Sequence, residues 1–196
     1  MNQMRTNLTD AGAATAPVST SEFKTHARVY HTQDDSYIAT LILSATQVIE
    51  AETRRALINR SFTYQLEGFP AGGEIIIPRS PVNGVSGVFY TDEAGSHEFD
   101  SNDYYTYSVN GVGRVVLKNT ASWPAVLGDG GLDVSVNFVA GYGATGASVP
   151  AALRHAVLLQ ATHMYDNRTP VGPAQLYEIP RSVERLIVQY HSGDYQ

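Results

Sequence analysis

Residues 134–165 read VSVNFVAGYGATGASVPAALRHAVLLQATHMY, and the order of strand, glycine-rich loop and helix in this stretch decides the fold class. Val134, Val136 and Phe138 occupy alternate positions, which predicts a β-strand that runs to the first glycine. Pro150 is then well placed as the first residue of a helix. The apolar face of that helix consists of Leu153, Ala156, Val157, Ala161, Met164 and Tyr165.

The glycines between this strand and this helix match a known motif. Gly141, Gly143 and Gly146 fit the G-x-G-x-x-G pattern of dinucleotide-binding proteins. The context does not fit, because the helix begins only after the motif and no later strand carries an acidic residue for a ribose. We expect a loop in which glycine lets the chain turn closely from sheet to helix.

Upstream, residues 58–140 contain short apolar runs punctuated by Gly, Pro, Asn and Asp. Asn110-Gly111 is the strongest hairpin signal in the chain, and residues 92–95 supply a second turn. The connections are too short for parallel crossovers, so we expect antiparallel pairing. The predicted strands cover Phe62–Leu66, Ile75–Ile77, Val85–Tyr90, Phe99–Val109, Arg114–Lys118 and Val134–Gly141.

Two helices are predicted ahead of this β block. Ser19 and Glu22 form a capping box, which predicts the start of a helix of about ten residues. A helix of about five turns follows, with its cap at Thr32 or Asp34 and its end near Arg54 or Arg55. Its apolar face is traced by Ile38, Leu41, Ile42, Ala45, Val48, Ile49 and, at the same spacing, Glu52.

The fold class is therefore α+β: two N-terminal helices, a central antiparallel β block with hairpins, and two C-terminal helices packing with the N-terminal pair. Thr169–Pro173 is expected to end the third helix, and Pro180 to open the fourth. The predicted core includes Ile38, Leu41, Ile42, Ile49, Leu153, Val157, Leu186 and Ile187. The predicted divisions are a flexible or interface arm (1–17) and a single domain (18–196) made of helical (18–57), β (58–140) and helical (150–191) parts.

Composition narrows the function classes. The 196 residues are 43% hydrophobic and 16% charged, which is typical of a folded protein. The chain has no cysteine, which excludes disulfides, cysteine-ligated metals and a thiol nucleophile. The net charge is −6 with no basic run, so we expect no tight grip on nucleic acid phosphates. No apolar run is long enough to suggest a membrane partner.

No group of residues predicts catalysis. The six histidines are scattered without an HExxH motif, and no G-x-S-x-G elbow is present. The acidic segment Asp129–Asp133 lacks the spacing of a calcium loop and is interpreted as a turn. We therefore expect a protein that is not an enzyme and that carries no metal or other cofactor.

The twelve tyrosines are more informative. Tyr104, Tyr105 and Tyr107 crowd one strand, and tyrosine is enriched at protein interfaces because it buries area while keeping a polar tip. A sheet with an exposed, tyrosine-rich side fits the same pattern. Trp123 fits either a core position or an interface anchor. The candidate interface residues are Tyr104, Tyr105, Tyr107, Trp123, Tyr142 and Arg168.

A set of short stretches is informative through its order and spacing: Val48–Leu57, Phe62, Leu66–Pro70, Ile77–Val82, Val85, Val88, Tyr90–Gly95, Trp123-Pro124, Val139–Gly143, Val149-Pro150, Asn167-Arg168, Pro180 and Val183. Together these stretches resemble the head-to-tail connector (adaptor) proteins of long-tailed phages, prophages and gene transfer agents. The family usually has Gly where Arg54 stands, a position suited to ending a helix.

The resemblance implies a structural virion protein at the head-tail junction, assembled in the host cytoplasm. It implies a ring of identical subunits beneath the portal protein, dodecameric to match it, with the next neck or tail-completion protein on the far side. DNA would pass through the ring without sequence-specific binding. The alternatives are a head-completion or tail-terminator subunit and, from the tyrosines and single tryptophan, a carbohydrate-binding β module.

Overall fold

The structure is a computed structural model that describes residues 4–10, 15–168 and 180–191. The chain divides into two compact units. A β unit contains residues 4–10 and 59–141, and a helical unit contains 15–58, 142–168 and 180–191 of the described chain. The α+β class and the antiparallel pairing are confirmed. The single-domain assignment stays a prediction.

The larger sheet of the β unit has five strands in the order β1-β2-β8-β4-β5. These are β1 (Thr6–Asp10), β2 (Arg60–Leu66), β8 (Val134–Ala140), β4 (Val82–Asp92) and β5 (Gly95–Glu98). The central strand β8 is buried at every second residue, as its sequence predicted. Phe138 of β8 stacks on Phe62 of β2 with ring centroids 5.4 Å apart, so an aromatic pair stabilises the centre of the sheet.

The second sheet has three strands in the order β3-β7-β6. They are β3 (Glu74–Ile76), β7 (Val112–Leu117) and β6 (Tyr104–Val109), and a short 3-10 turn (Ser101–Asp103) precedes β6. Asn110 and Gly111 both have positive φ angles, 52° and 86°, in the turn between β6 and β7. The hairpin predicted from Asn110-Gly111 is therefore confirmed, with the backbone that suits the twist of its strands.

Strand β1 was not expected, because residues 6–10 were assigned to a flexible or interface arm. It pairs with β2 along its whole length, from Thr6 opposite Leu66 to Asp10 opposite Phe62. Four of its five side chains are exposed, so hydrophobic patterning gave no signal. It pairs with the open edge of β2, which is distant in the sequence, so local patterns do not indicate the pairing. The interface role of the arm stays a prediction.

The helical unit contains α1 (Thr20–Ala27), α2 (Asp35–Thr53), α3 (Ala151–Asp166) and α4 (Arg181–Ile187). Phe23, Ile38, Leu153 and Val183, one from each helix, are fully buried in one shared cluster. Of the predicted core residues, seven are buried and Leu186 is partly buried. Pro150 is the N-cap of α3 and not its first helical residue. The expected helix end at Thr169–Pro173 lies outside the described residues.

Helices α1 and α2 end in an unusual way. The capping box of Ser19 and Glu22 is present at the start of α1, as predicted. At their C-terminal ends, Arg28 and Arg54 both adopt the left-handed conformation, with φ angles of 56° and 54°. Arg54 thus ends α2 at the position where the resembling family has glycine, and the helix does not run on.

Candidate functional site

The edge strand β6 presents the most exposed aromatic surface among the predicted interface residues. Tyr105 and Tyr107 are 60% and 48% exposed, and Val109, two residues further, is 44% exposed. These three residues alternate along β6 and therefore share one face of the strand. Lys118 lies over the Tyr105 ring at 4.7 Å and donates a short hydrogen bond to the Asn102 carbonyl, so the cation beside this row is already engaged.

Tyr104 does not belong to that exposed surface. Only 8% of it is accessible, and its ring stacks near Phe99 with centroids 5.9 Å apart. Burial raises the pKa of its hydroxyl. Alternation along a strand explains the difference, since neighbouring residues point to opposite faces. Tyr104 therefore lies on the face opposite to Tyr105 and Tyr107, and its role in an interface stays a prediction.

Trp123 lies in an aromatic cluster of the β unit. Its ring stacks on Phe69 with a centroid distance of 4.4 Å and an interplanar angle of 6°, and Phe99 lies 5.2 Å away. Within the described chain, its indole N–H is buried and finds no hydrogen-bond partner. Because Phe69 covers one face of the indole, Trp123 does not offer the open aromatic platform that a sugar-binding module would need. Trp123 is partly buried in this cluster, and its role as an interface anchor stays a prediction.

Tyr142 and Arg168 are held within the helical unit. The Tyr142 hydroxyl accepts a hydrogen bond from Arg55 at 3.3 Å, and Arg55 also donates to the carbonyl of Tyr190 at 2.6 Å. Burial raises the pKa of Tyr142. Sequence analysis gave no sign of these partners, because they are distant along the chain.

Arg168 forms part of a cluster at the start of α2. Its guanidinium pairs with Asp34 at 2.5 Å and lies over the rings of Tyr37 and Tyr165, at 4.9 and 4.5 Å from their centroids. The Tyr165 hydroxyl also donates to Asp34 at 2.7 Å. This hydrogen bond and the one from Arg168 lower the pKa of Asp34. Tyr142 and Arg168 therefore both have partners within the helical unit. Their role in an interface stays a prediction.

The glycine-rich loop is a structural feature, as expected. Gly146 lies so close to the backbone of Pro17 that a side chain would collide with it, and a Cβ at Gly143 would fall 2.4 Å from the side chain of Ser148. A 3-10 turn, Gly146–Ser148, separates the motif from α3. The loop thus packs against its own chain, and its glycines do not place the α3 amides around a phosphate.

The residues between Asp129 and Asp133 form a turn, as interpreted from the sequence. Asp129 accepts a hydrogen bond from the Gly131 amide at 3.0 Å, and Asp133 accepts one from Gly128 at 2.7 Å. Across residues 4–10, 15–168 and 180–191, no three His, Asp or Glu side chains come together in a way that could hold a metal ion. In the same described ranges, no helix is both long and apolar enough to cross a membrane.

The outer face of α2 is a candidate interface surface that was not predicted from the sequence. The helix buries Ile38, Ile42 and Ile49 but leaves an opposite strip in solvent. Leu43, at 38% exposure, is the largest hydrophobic side chain in this strip. The signal that could have found it is the absence of any charged residue between Asp35 and Glu50. An exposed helix normally carries charges on its outer side.

Comparison with known proteins identifies the fold. No family model and no curated protein sequence matches the chain. Among solved structures, a chain from the neck of an empty gene transfer agent particle, computed with C6 symmetry, matches with a TM-score of 0.79 and 25% identity over 95% of both chains. A chain from the native neck, computed with C12 symmetry, matches with a TM-score of 0.77 and 25% identity over 95% of both chains.

The chain is similar in fold to these neck chains over nearly its whole length. A third match, from the virion of a native gene transfer agent particle, has a TM-score of 0.78 and 24% identity over 94% of this chain and 95% of that chain, and it agrees in fold. The fold shared with the neck chains therefore covers residues of both units described above.

Proposed function

We propose that this protein is a head-to-tail adaptor, a structural subunit of the virion neck that forms a ring beneath the portal and links it to the next neck or tail component. The single observation that carries this is the match to gene transfer agent neck chains over 95% of both chains. The proposed role requires no chemistry of the subunit, and we propose that the protein is not an enzyme.

The proposed ring has twelve subunits. The support is the C12 symmetry with which one matching neck was computed, and C6 symmetry of another is compatible with a twelve-fold arrangement. A closed ring needs head-to-tail contacts between two different patches of each subunit. The subunit has exposed, uncharged surfaces in both of its units, which is what such contacts require.

The proposed lumen passes DNA without holding it. Phosphate contacts from Lys or Arg would slow transit, so the wall should carry few free cations. The net charge of −6 supports this, as do the partners of the cations in the β unit. Arg5 pairs with Glu67 at 3.2 Å, Arg60 with Asp10 at 2.5 Å and Arg114 with Glu74 at 2.5 Å.

Electron microscopy of the purified protein, alone and mixed with its portal protein, tests the proposal. We expect ring-shaped particles with a central opening on the portal, with twelve copies counted from class averages. The isolated subunit is expected to be monomeric where the portal is absent. A protein that stays monomeric and unbound in the presence of assembled portal contradicts the proposed function. A different copy number on the portal contradicts only the dodecamer.

A further inference from the structure

We propose that neighbouring subunits contact each other through the β6 row of one copy, Tyr105, Tyr107 and Val109, and the outer face of α2 of the next copy, centred on Leu43. This inference rests on the proposed ring. It names the two patches that a head-to-tail contact must join.

The β6 row has the character of an interface core. Its three large side chains stand on one face of an edge strand, at 60%, 48% and 44% exposure. No residue from Tyr104 to Val109 is charged. Interface cores are depleted in charge and enriched in tyrosine. Three adjacent side chains of this size on one strand face are more than the single exposed apolar residues of an ordinary surface.

The outer face of α2 has the matching character. Five of the exposed residues of α2 follow helical spacing along one face: Ser36, Thr40, Leu43, Gln47 and Ala51. With 16% charged residues in the chain, the fourteen residues from Ser36 to Ile49 would carry about two charges on average, and they carry none. An uncharged strip of this length on a solvent-facing helix favours a protein partner.

Two hydroxyl groups on or beside this strip form hydrogen bonds within α2. The Thr40 hydroxyl donates to the Ser36 carbonyl at 3.1 Å, and the Ser44 hydroxyl donates to the Thr40 carbonyl at 3.0 Å. Both hydroxyls therefore already have acceptors within the helix. A partner that covers α2 would leave these groups satisfied, so the usual cost of burying an unpaired hydroxyl does not arise.

The two surfaces also match in size and spacing. Alternate residues of a strand are about 6.7 Å apart, and residues three or four apart on a helix are about 5–6 Å apart. The tyrosines of β6 are bulky, while most residues of the α2 strip are small. Large side chains on one surface can thus fit between small ones on the other.

A second copy is the occupant that these features favour. Nucleic acid would require cations, and the two cations beside the β6 row are engaged: Lys118 with Tyr105 and Asn102, and Arg114, opposite Tyr107 in β7, with Glu74. The exposed strip of α2 contains no Lys or Arg. A contact of α2 with α2, or of β6 with β6, has two-fold symmetry and closes a dimer. Only a contact between the two different surfaces repeats around a ring.

Site-directed cross-linking tests the contact, and the lack of native cysteine makes each introduced thiol unique. We would introduce Leu43→Cys and Tyr107→Cys together and singly, and treat assembled protein on the portal with a short bis-maleimide. The double variant should give a ladder of covalent multimers in denaturing gels. A mixture of the two single variants should stop at dimers, and each single variant alone should stay monomeric.

Charge substitutions give an independent readout. Leu43→Glu and Tyr107→Glu should each reduce the fraction of subunits in rings about ten-fold or more, since burying an unpaired carboxylate costs well over 1.4 kcal/mol. Leu132→Glu is the matched control, because Leu132 is similarly exposed at 36% and lies outside both surfaces. Melting temperatures should be unchanged in all three variants, which separates assembly from folding.

The outcomes separate this contact from the proposed function. Rings that form normally with both charge variants, or a double cysteine variant that does not cross-link within visible rings, would overturn the contact and leave the adaptor function standing. Efficient cross-linking of either single variant alone would also overturn it, because that indicates a two-fold contact. Wild-type protein that forms no ring on the portal would contradict the adaptor function and the contact together.

Discussion

Gly146 lies directly against the backbone of Pro17, and a Cβ atom at Gly146 would come within 2.0 Å of the Pro17 carbonyl oxygen. The two residues are far apart in the sequence, yet both belong to the helical unit. Pro17 and Val18 are buried there, so the end of the N-terminal arm is fixed by the loop that leads into α3. Only glycine permits so close an approach of two backbone segments.

Substitution of Gly146 by alanine should therefore destabilise the protein by about 1–3 kcal/mol, the usual range for forcing an extra group into a packed site. Gly84→Ala is the control, because a Cβ at Gly84 has no heavy atom within 4 Å. Urea unfolding followed by circular dichroism measures both free energies. Equal stability of the Gly146 and Gly84 variants would contradict the close contact.

Substitution of the left-handed residue at the end of α1 should stabilise the protein, in contrast to substitution of Gly146. Arg28 has φ 56° and ψ 41°, a conformation that costs a residue with a Cβ atom about 1–2 kcal/mol. Arg28→Gly relieves this strain, and the extra entropy of glycine in the unfolded chain offsets part of the gain. The free energy of unfolding should therefore rise by about 0.5–1 kcal/mol. Arg28→Ala keeps the Cβ atom and should give no gain. Thermal unfolding of the two variants is the measurement. An alanine variant stabilised as much as the glycine variant would show that backbone strain at Arg28 is not the cause.

A buried carboxylate holds the chain just after α2. Glu50 is 4% exposed, and its Oε1 accepts a hydrogen bond from the Leu57 amide at 2.7 Å. Glu50→Leu should cost about 1–3 kcal/mol, because it leaves a buried N–H without its acceptor. Glu50→Gln keeps an oxygen in that place and should cost less. Denaturant unfolding compares them, and a leucine variant as stable as the wild type would refute this role.

The capping box of α1 predicts a pH dependence. The backbone amide of Ser19, with help from the Ser19 hydroxyl and Arg154, lowers the pKa of Glu22 below its ordinary value of 4.5. A lowered folded-state pKa stabilises the fold above the ordinary value and ceases to do so as the pH falls through the lowered one. Glu22→Gln should therefore melt at a lower temperature than wild type at pH 7, and this difference should shrink below about pH 4.

Glu93→Gln is the matched control for this pH series, because Glu93 is exposed in the turn between β4 and β5. Its melting temperature should follow that of the wild type throughout. A Glu22→Gln variant whose deficit stays constant from pH 7 to pH 3 would show that Glu22 acts through packing and not through its charge.

Local patterns in the sequence determined most of the secondary structure. The alternation in β8, the Asn110-Gly111 turn and the Ser19–Glu22 capping box depend on neighbours within a few residues, so they could be found without knowing the fold. The long helix α2 was equally plain from its apolar spacing. The sequence also placed its end correctly, but nothing local shows that Arg54 would end it in a left-handed conformation.

The exposure and the partners of the candidate interface residues depend on tertiary packing. Alternation indicated that the tyrosines of β6 would point to both faces, but only tertiary packing decided that Tyr104 is buried against Phe99 while Tyr105 and Tyr107 are exposed. Arg168 gave no sign of its pairing with Asp34, which is 134 residues away. Sequence patterns do not report such partners, because they record only which face of an element is apolar.

The sequence by itself thus determined the α+β class, the antiparallel pairing and the resemblance to connectors, because periodicity and turn residues act locally. The tertiary structure alone decided that residues 6–10 form the edge strand β1 and that Gly146 packs on Pro17. Strand β1 has little apolar surface and exists because the open edge of β2 offers backbone hydrogen bonds. Such pairings depend on which segments meet in space, and that is fixed only when the whole chain folds.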